Sequence, residues 1–414
     1  MSFNEWETYR LDEIAEVIGG GTPSTSNPEY WGDEISWLTP RDLSNHLSKY
    51  ISKGERSITQ SGLQNSSARL LPEGSVLLTS RAPIGYLAIA SNPLTTNQGF
   101  KSFVVKENLL SNQFLYYLLK HNIEQLQQLG TGTTFAEISA STLKGLEFSI
   151  PNLQAQNKIA HILSSIDDKI ENNLATNQTL EEIARTLFKE WFVNFNYPNA
   201  HGNLKQSEFG EIPESWEVNG ISAISYVQNG YAFKSKDFQE QGEVGIIKIK
   251  NISGNVVDIQ NTDFVDTSVV SSLDEKFKIE SGSLLIAMTG AEVGKIGLVP
   301  LTDKNLWLNQ RVGMFKENIP FGNLYMYLLL STDTYQTAIQ NSALGSAQPN
   351  ISASAIESIR AIIPPAELIE AFGRIAHPMF KKILDNLAEN ETLKNTRDSL
   401  LPKLMSGERE INGR

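Results

Sequence analysis

Two sets of polar residues sit inside otherwise apolar, β-rich sequence. The first is Thr79-Ser80-Arg81, then Thr95-Thr96-Asn97-Gln98-Gly99-Phe100-Lys101, then the Gly/Thr loop 130–134. The second is Thr289-Gly290-Ala291-Glu292, then Asn309-Gln310-Arg311, then the loop 345–348. Arginine presents a fork that suits guanine edges, Asn and Gln suit adenine, and Thr or Gly loops reach phosphate oxygens through hydroxyl and amide groups. A plainer reading makes Asn97-Gln98 and Asn309-Gln310 the caps or braces of a turn common to both sets, and at this level both readings stand. Residues that differ between the sets, Arg81 against Gly290 and Gly99 against Arg311, are the better candidates for reading different sequences. The candidate contacts are Arg41, Ser80, Arg81, Asn97, Gln98, Lys101, Thr131 and Thr133 in the first half. In the second half they are Lys248, Lys250, Thr289, Lys295, Asn309, Gln310, Arg311 and Ser346.

A search for catalytic groups comes back empty. The five histidines are His46, His121, His161, His201 and His377, with no zinc-ligand spacing among them and no cysteine to assist. His161 and His377 each follow an alanine and are read as matching positions with a structural or partner-facing role. No GxSxG elbow is present. Gly290 to Lys295 resembles a phosphate loop but has three residues between its glycines where four are needed, and Ile296 stands where Ser or Thr should. Asp167-Asp168 and Glu181-Glu182 read as a solvated helix face. The chain is expected to hold no catalytic site and no metal.

The elements that must position these residues occur twice. GTGTTFAEISASTLKGLEFSIP at 130–151 and ALGSAQPNISASAIESIRAIIP at 343–364 stay in register from Gly132/Gly345 to Pro151/Pro364 at an offset of 213. Such a period is far beyond the roughly 20–50 residues of small solenoid repeats, so a whole domain is duplicated. Each copy has short β-rich runs (SVLLTS, YLAIAS and KSFVVK; VGIIKIK, SLLIAM and KIGLVP), then a helical segment (111–128; 322–340), then a polar loop and a short strand ending in proline.

After each proline the pattern becomes a long amphipathic helix. Ile159, Leu163, Ile166, Ile170 and Leu174 follow heptad spacing, continued by Leu180, Ile183 and Leu187. The second series is Phe372, Ile375, Met379, Ile383 and Leu387, then Leu393, Leu400 and Leu404, with Pro378 expected to kink or restart the helix. The fold class is therefore α+β. Two repeated α/β domains (1–152 and 197–365, the latter with a returning loop) are separated by a pair of long antiparallel helices (153–196, and 366–414 with the tail). The helices are expected to form a coiled-coil spacer under pseudo-twofold symmetry, the plainer reading of each being a core helix in a bundle.

Composition sets the remaining bounds. The chain has 414 residues, 40% hydrophobic content and no cysteine. No apolar run approaches the roughly 20 residues that span a bilayer, and the polar start MSFNEWETYR is no signal peptide, so a cytoplasmic location is expected. The net charge of −12 speaks against nucleic-acid binding by bulk charge alone. The acid is unevenly spread, however. Residues 33–106 hold eight Lys/Arg against five Asp/Glu, and the second copy has a basic middle around Lys234, Lys236, Lys248, Lys250, Lys276, Lys278, Lys295 and Arg311.

Five passages resemble the specificity subunit of type I restriction-modification systems: LLTSRAPIGYLAIASNPLTTNQGFK (77–101), IPNLQAQNKIAHILSSIDDKIENN (150–173), LFKEWFVNF (187–195), GEIPESWEV (210–218) and LLPKLMSGEREI (400–411). The resemblance implies two target-recognition domains, each reading one half of a bipartite double-stranded DNA site. It implies helices that act as a ruler and dock two methyltransferase subunits, through which motor-nuclease subunits join. The docking candidates are Ile159, Leu163, Ile166, Ile170, Phe188 and Trp191 on one helix, and Met379, Ile383, Leu387, Leu400 and Leu404 on the other. No cofactor is implied for this chain; S-adenosylmethionine, ATP and magnesium would belong to the partners. Other readings are a two-headed DNA-binding protein acting alone, and a duplicated sugar- or peptide-binding protein or an enzyme whose site forms between the copies.

Overall fold

In the computed structural model, which describes residues 6–44, 46, 48–132, 136–200, 202–252, 254–343 and 349–408, the matched Ile-Ser-Ala-Ser stretches are helix starts. Ile138 and Ile351 are buried, and Ser139 and Ser352 cap the helices Ala140–Lys144 and Ala353–Glu357. Each cap hydroxyl accepts an amide three residues on, Thr142 N at 3.0 Å and Ala355 N at 3.1 Å.

The chain forms two units, Met1–Asn172 with Glu391–Arg414, and Asn173–Asn390. The first unit has a five-stranded sheet in the order Ala15–Gly19, Phe100–Val105, Val76–Ser80, Ile84–Ala90, Tyr50–Ile51. Beside it lies a three-stranded sheet in which Trp31–Leu38 pairs in parallel with Thr95–Thr96. The second unit repeats the scheme: Ser225–Asn229, Val312–Glu317, Leu284–Ala287 and Ile296–Leu298 take the same order, and Val244–Ile247 pairs in parallel with Asn305–Leu308. The proline-terminated strands Glu147–Ile150 and Arg360–Ile363 pair with Glu7–Arg10 and Glu217–Gly220. Gly74 and Gly282 make equivalent tight turns with φ of 83° and 80°, a conformation glycine adopts without strain. The helical segments are each broken in two, Asn112–His121 and Ile123–Gln128, then Gly322–Leu330 and Asp333–Ser342.

Both long helices are present, Leu153–Phe192 and Ala366–Met405, 40 residues each, about 60 Å at 1.5 Å per residue. They are not separate domains: each gives one half to each unit. The offset of 213 runs through them, so His161 matches Arg374 and not His377, a correction to the alanine-based alignment. Pro378 does not restart its helix, because buried Phe372, Ala376 and Phe380 on either side hold the turn in place. Ile183 and Ile375, expected on the apolar seam, are exposed.

The seam is amide where the heptad pattern leads one to expect aliphatic. In the second unit Asn173, Asn177, Asn386 and Asn390 are all buried. Asn173 Nδ2 donates to Asn390 Oδ1 at 2.9 Å, and Asn386 Nδ2 donates to Asn177 Oδ1 at 2.7 Å. The offset of 213 exchanges these two bonds, and within the second unit they join the two helices in antiparallel orientation. Removing one partner of a buried hydrogen bond leaves the other desolvated, whereas removing both is nearly neutral. Asn177→Leu should therefore destabilise by about 1–3 kcal/mol, and Asn177→Leu with Asn386→Leu should restore most of it. Urea titration of the two variants is the check; equal losses would show that the amide bond contributes nothing.

Candidate nucleic-acid interface

In the first unit a tight turn presents Arg81. Thr79 is fully buried; its hydroxyl donates to the Pro83 carbonyl at 2.8 Å and accepts the Tyr86 amide at 2.9 Å, pinning the turn from inside. Ala82 follows with a left-handed φ of 51°. Ser80 is also buried, its hydroxyl 3.2 Å from the Gly99 carbonyl. Lys101 Nζ lies 3.4 Å from Ser80 Oγ and 3.1 Å from Glu137 Oε1. Arg81 Nη1 lies 3.6 Å from Glu137 Oε2. Glu137 exchanges backbone hydrogen bonds with exposed Thr131 at 2.9 and 3.0 Å. Arg81, Lys101 and Thr131 thus converge on Glu137, which the sequence reading passed over, while Ser80 reaches it only through Lys101. Thr133 lies outside the described residues. The available signal was an acid standing directly before the capping motif in one copy and Asn350 in the other.

The Asn-Gln pair divides its labour in both units. Asn97 Oδ1 accepts the Gly99 amide at 2.8 Å, and Asn309 Oδ1 accepts the Arg311 amide at 3.3 Å, so both asparagines brace a turn. A glycine crowds each turn: a β-carbon on Gly20 would stand 2.0 Å from the Asn97 carbonyl oxygen, and one on Gly230 2.2 Å from that of Asn309. Gln98, Gln310 and Arg311 are exposed beside these braces.

Most other candidate cations already have acidic partners. Lys248 and Lys250 both reach Asp263, at 2.5 and 2.7 Å. Burial pushes the Asp263 carboxyl up, but the two lysine hydrogen bonds outweigh this and hold it below its ordinary value. Lys248 also stands 3.5 Å from the centre of the Phe238 ring. Lys295 pairs with Glu292, and exposed Arg41 lies 4.0 Å from Glu55. Thr289 bridges to Asn350 as Arg81 does to Glu137, so Thr289, and not Gly290, is the counterpart of Arg81; Ser346 lies outside the described residues. Arg41, Lys250 and Lys295 are exposed, and exposed pairs contribute little to stability.

The docking candidates are placed mostly inside. Ile159, Leu163, Phe188, Trp191, Ile383 and Leu404 are buried in the chain's own cores, Ile170 is buried as well, and a buried side chain offers a partner no surface. Ile166, Met379, Leu387 and Leu400 are half-buried and keep an exposed edge. The solvated-face reading fails for Asp167, which is buried and accepts hydrogen bonds from Tyr117 Oη at 2.6 Å and Arg397 Nη1 at 2.8 Å. Glu181 likewise accepts from Tyr327 Oη at 2.9 Å and Arg185 Nη2 at 2.7 Å. Among the described residues no group of three or more His, Asp or Glu could hold a metal, and no helix is long and apolar enough to cross a membrane.

The family profile of the type I restriction modification DNA specificity domain matches residues 4–182 and 213–396, once per copy. The chain belongs to this specificity family. It is 37% identical to the type I restriction enzyme MjaIX specificity subunit of Methanocaldococcus jannaschii, over 98% of this chain and 94% of that one. Against the HindI specificity subunit of Haemophilus influenzae it is 25% identical, over 98% of this chain and all (100%) of that one. The crystal structure of the type I restriction-modification S subunit from M. genitalium shares the fold, with a TM-score of 0.64 at 18% identity, covering 98% of this chain and 97% of that one. Specificity subunits are the non-catalytic members of such systems and assemble with other subunits and DNA.

Proposed function

We propose that this specificity subunit reads a bipartite duplex site, with one recognition head in each unit taking one half-site. One turn built twice with different side chains carries the reading. Gln98 and Gln310 are exposed beside the same asparagine brace, while Arg81 stands where the other head has Thr289, and Arg311 where the first has Gly99. A constant frame with changed donors suits two different base sequences. The long helices set the gap between half-sites, their length matching one to two turns of B-DNA at about 34–36 Å per turn. Their outer faces, with the half-buried Ile166, Met379, Leu387 and Leu400, dock two methyltransferase subunits, and motor-nuclease subunits join through those. Methyl transfer to adenine N6 with S-adenosylmethionine belongs to the methyltransferase, and ATP and magnesium to the motor. The assembly works in the cytoplasm.

The test is a methylome: this chain is co-expressed with its methyltransferase in a methylation-free host, and N6-methyladenine is mapped. Two short half-sites with a fixed gap, and one methylated adenine in each half on opposite strands, are expected. An assembled, cofactor-loaded complex that leaves no split motif would overturn the reading in favour of a DNA-binding protein acting alone.

A further inference from the structure

The carboxylate of Glu137 lies between two cations of unequal freedom. Lys101 has only 12% of its side chain exposed. Its ammonium is engaged by Glu137 Oε1 at 3.1 Å and Ser80 Oγ at 3.4 Å, and Ser80 is itself buried. Lys101 therefore spends its charge inside the fold, holding Glu137. The backbone of Glu137 is fixed as well, by the reciprocal bonds to Thr131. Arg81 is different. Its side chain is 35% exposed, and its guanidinium stands 3.6 Å from Glu137 Oε2, within charge attraction but beyond hydrogen-bond reach. A guanidinium backed by a fixed carboxylate on one edge keeps the rest of its rigid donor fork for a second planar acceptor. On a duplex the edge that accepts such a fork is guanine O6 and N7 in the major groove.

The second unit has the same scaffold without the device. Ile138 N donates to the Ser80 carbonyl and Ile351 N to the Met288 carbonyl, each at 3.0 Å, which sets the two heads in register. The bridge Arg81–Glu137 corresponds to the bridge Thr289–Asn350. Lys101 sits opposite Leu78, and Gly313 opposite Ile286 in the matching strand pair. Arg, Glu and Lys are thus replaced by Thr, Asn and Gly. A trio needed to build the fold would be expected in both heads; this one is built into one head alone.

We propose that Glu137, anchored by Lys101, is a positioning residue that aims Arg81 at guanine, making one G·C pair obligatory in the half-site read by the first unit. The other half-site carries no such requirement from this position. The inference rests on the DNA-reading function proposed above.

The experiment compares methylation motifs of the intact complex of this chain with its methyltransferase, carrying Glu137→Gln, Arg81→Lys, or both. Each single variant should relax the same one position, a G·C pair, in one half-site. Discrimination there should fall by roughly 5- to 150-fold, the range of one bidentate base contact. The double variant should relax no further, the other half-site should be unchanged, and Arg81→Lys should leave the thermal midpoint at its unsubstituted value. Arg81→Lys keeps the charge at a partly exposed edge, so it reports even if Glu137→Gln impairs folding. The proposal is overturned if Arg81→Lys relaxes no position, or if the two substitutions relax different ones. It is equally overturned if Glu137→Gln lowers methylation and stability together with the motif intact. An unsubstituted complex with no split motif would instead remove the DNA-reading function and this inference with it.

Discussion

Arg397→Ala should destabilise the first unit by about 3–5 kcal/mol, the cost of leaving one member of a buried ion pair without its partner. The side chains of Asp167 and Arg397 are only 9% and 16% exposed. Burial alone would lower the Arg397 pKa, but hydrogen bonds to Asp398 and Asp167 more than offset it and hold the cation firmly. On the other side of the carboxylate, burial first and the Asp167 charge second push the Tyr117 phenol up, so it remains a donor throughout the ordinary pH range. With arginine gone, Asp167 would keep one neutral donor against its desolvation. The repeat supplies the control. At an offset of 213, Asp167 and Arg397 become Phe380 and Ala184, both buried in the second unit. Asp167→Phe with Arg397→Ala should therefore recover most of the loss, since an apolar pair of similar volume is often at least as stable as a buried ion pair. Denaturant titration decides between them. A loss below about 1 kcal/mol for Arg397→Ala would place the bridge with exposed pairs and sink the argument.

That ion pair also shows where sequence reading reaches its limit. Some local signals were present but passed over: Ser139 and Ser352 cap short helices where the sequence was read as a polar loop, because a hydroxyl three residues ahead of an amide caps it in most contexts. The prolines at 151 and 364 end their strands for an equally local reason. Periodicity found both long helices and read them as a spacer pair, but heptad spacing says which face is apolar and nothing of what covers it, so the half that each helix gives to each unit was not legible. Nor does it mark an asparagine as part of the seam. Only a second asparagine, 217 or 209 positions away in sequence, makes the buried amides of Asn173 and Asn177 tolerable. Asp167 was misplaced for the same reason, its arginine lying 230 residues downstream. In the recognition head, Arg81 and Lys101 were legible as donors. The acid between them was not, since a lone Glu137 beside a Gly/Thr loop carries no sign of which cations it will meet.

Phe192→Ala should cost the second unit a further about 3–5 kcal/mol by leaving a cavity where a buried ring stood. The ring of Phe192 has neighbours on several sides: Tyr325 at 4.9 Å, Phe188 at 5.1 Å, Phe372 at 5.2 Å and Trp216 at 6.1 Å between centroids. Those rings come from three separate stretches of chain besides the helix itself, so the gap cannot close by moving one of them. The repeat again provides a comparison, because position 192 corresponds to Met405, buried in the first unit's core beside Leu401 and Leu404. Methionine is flexible enough to fill an irregular space, so Phe192→Met should lose far less than Phe192→Ala. Hydrogen exchange locates the damage. Protection should fall in the second unit's strands, such as Leu284–Ala287 and Val312–Glu317, and persist in Val76–Ser80 and Phe100–Val105 of the first. Each recognition head would then be stabilised by its own end of the helical pair, so that one half-site could change without disturbing the other. Equal loss of protection in both units would mean instead that the copies fold as a single cooperative body.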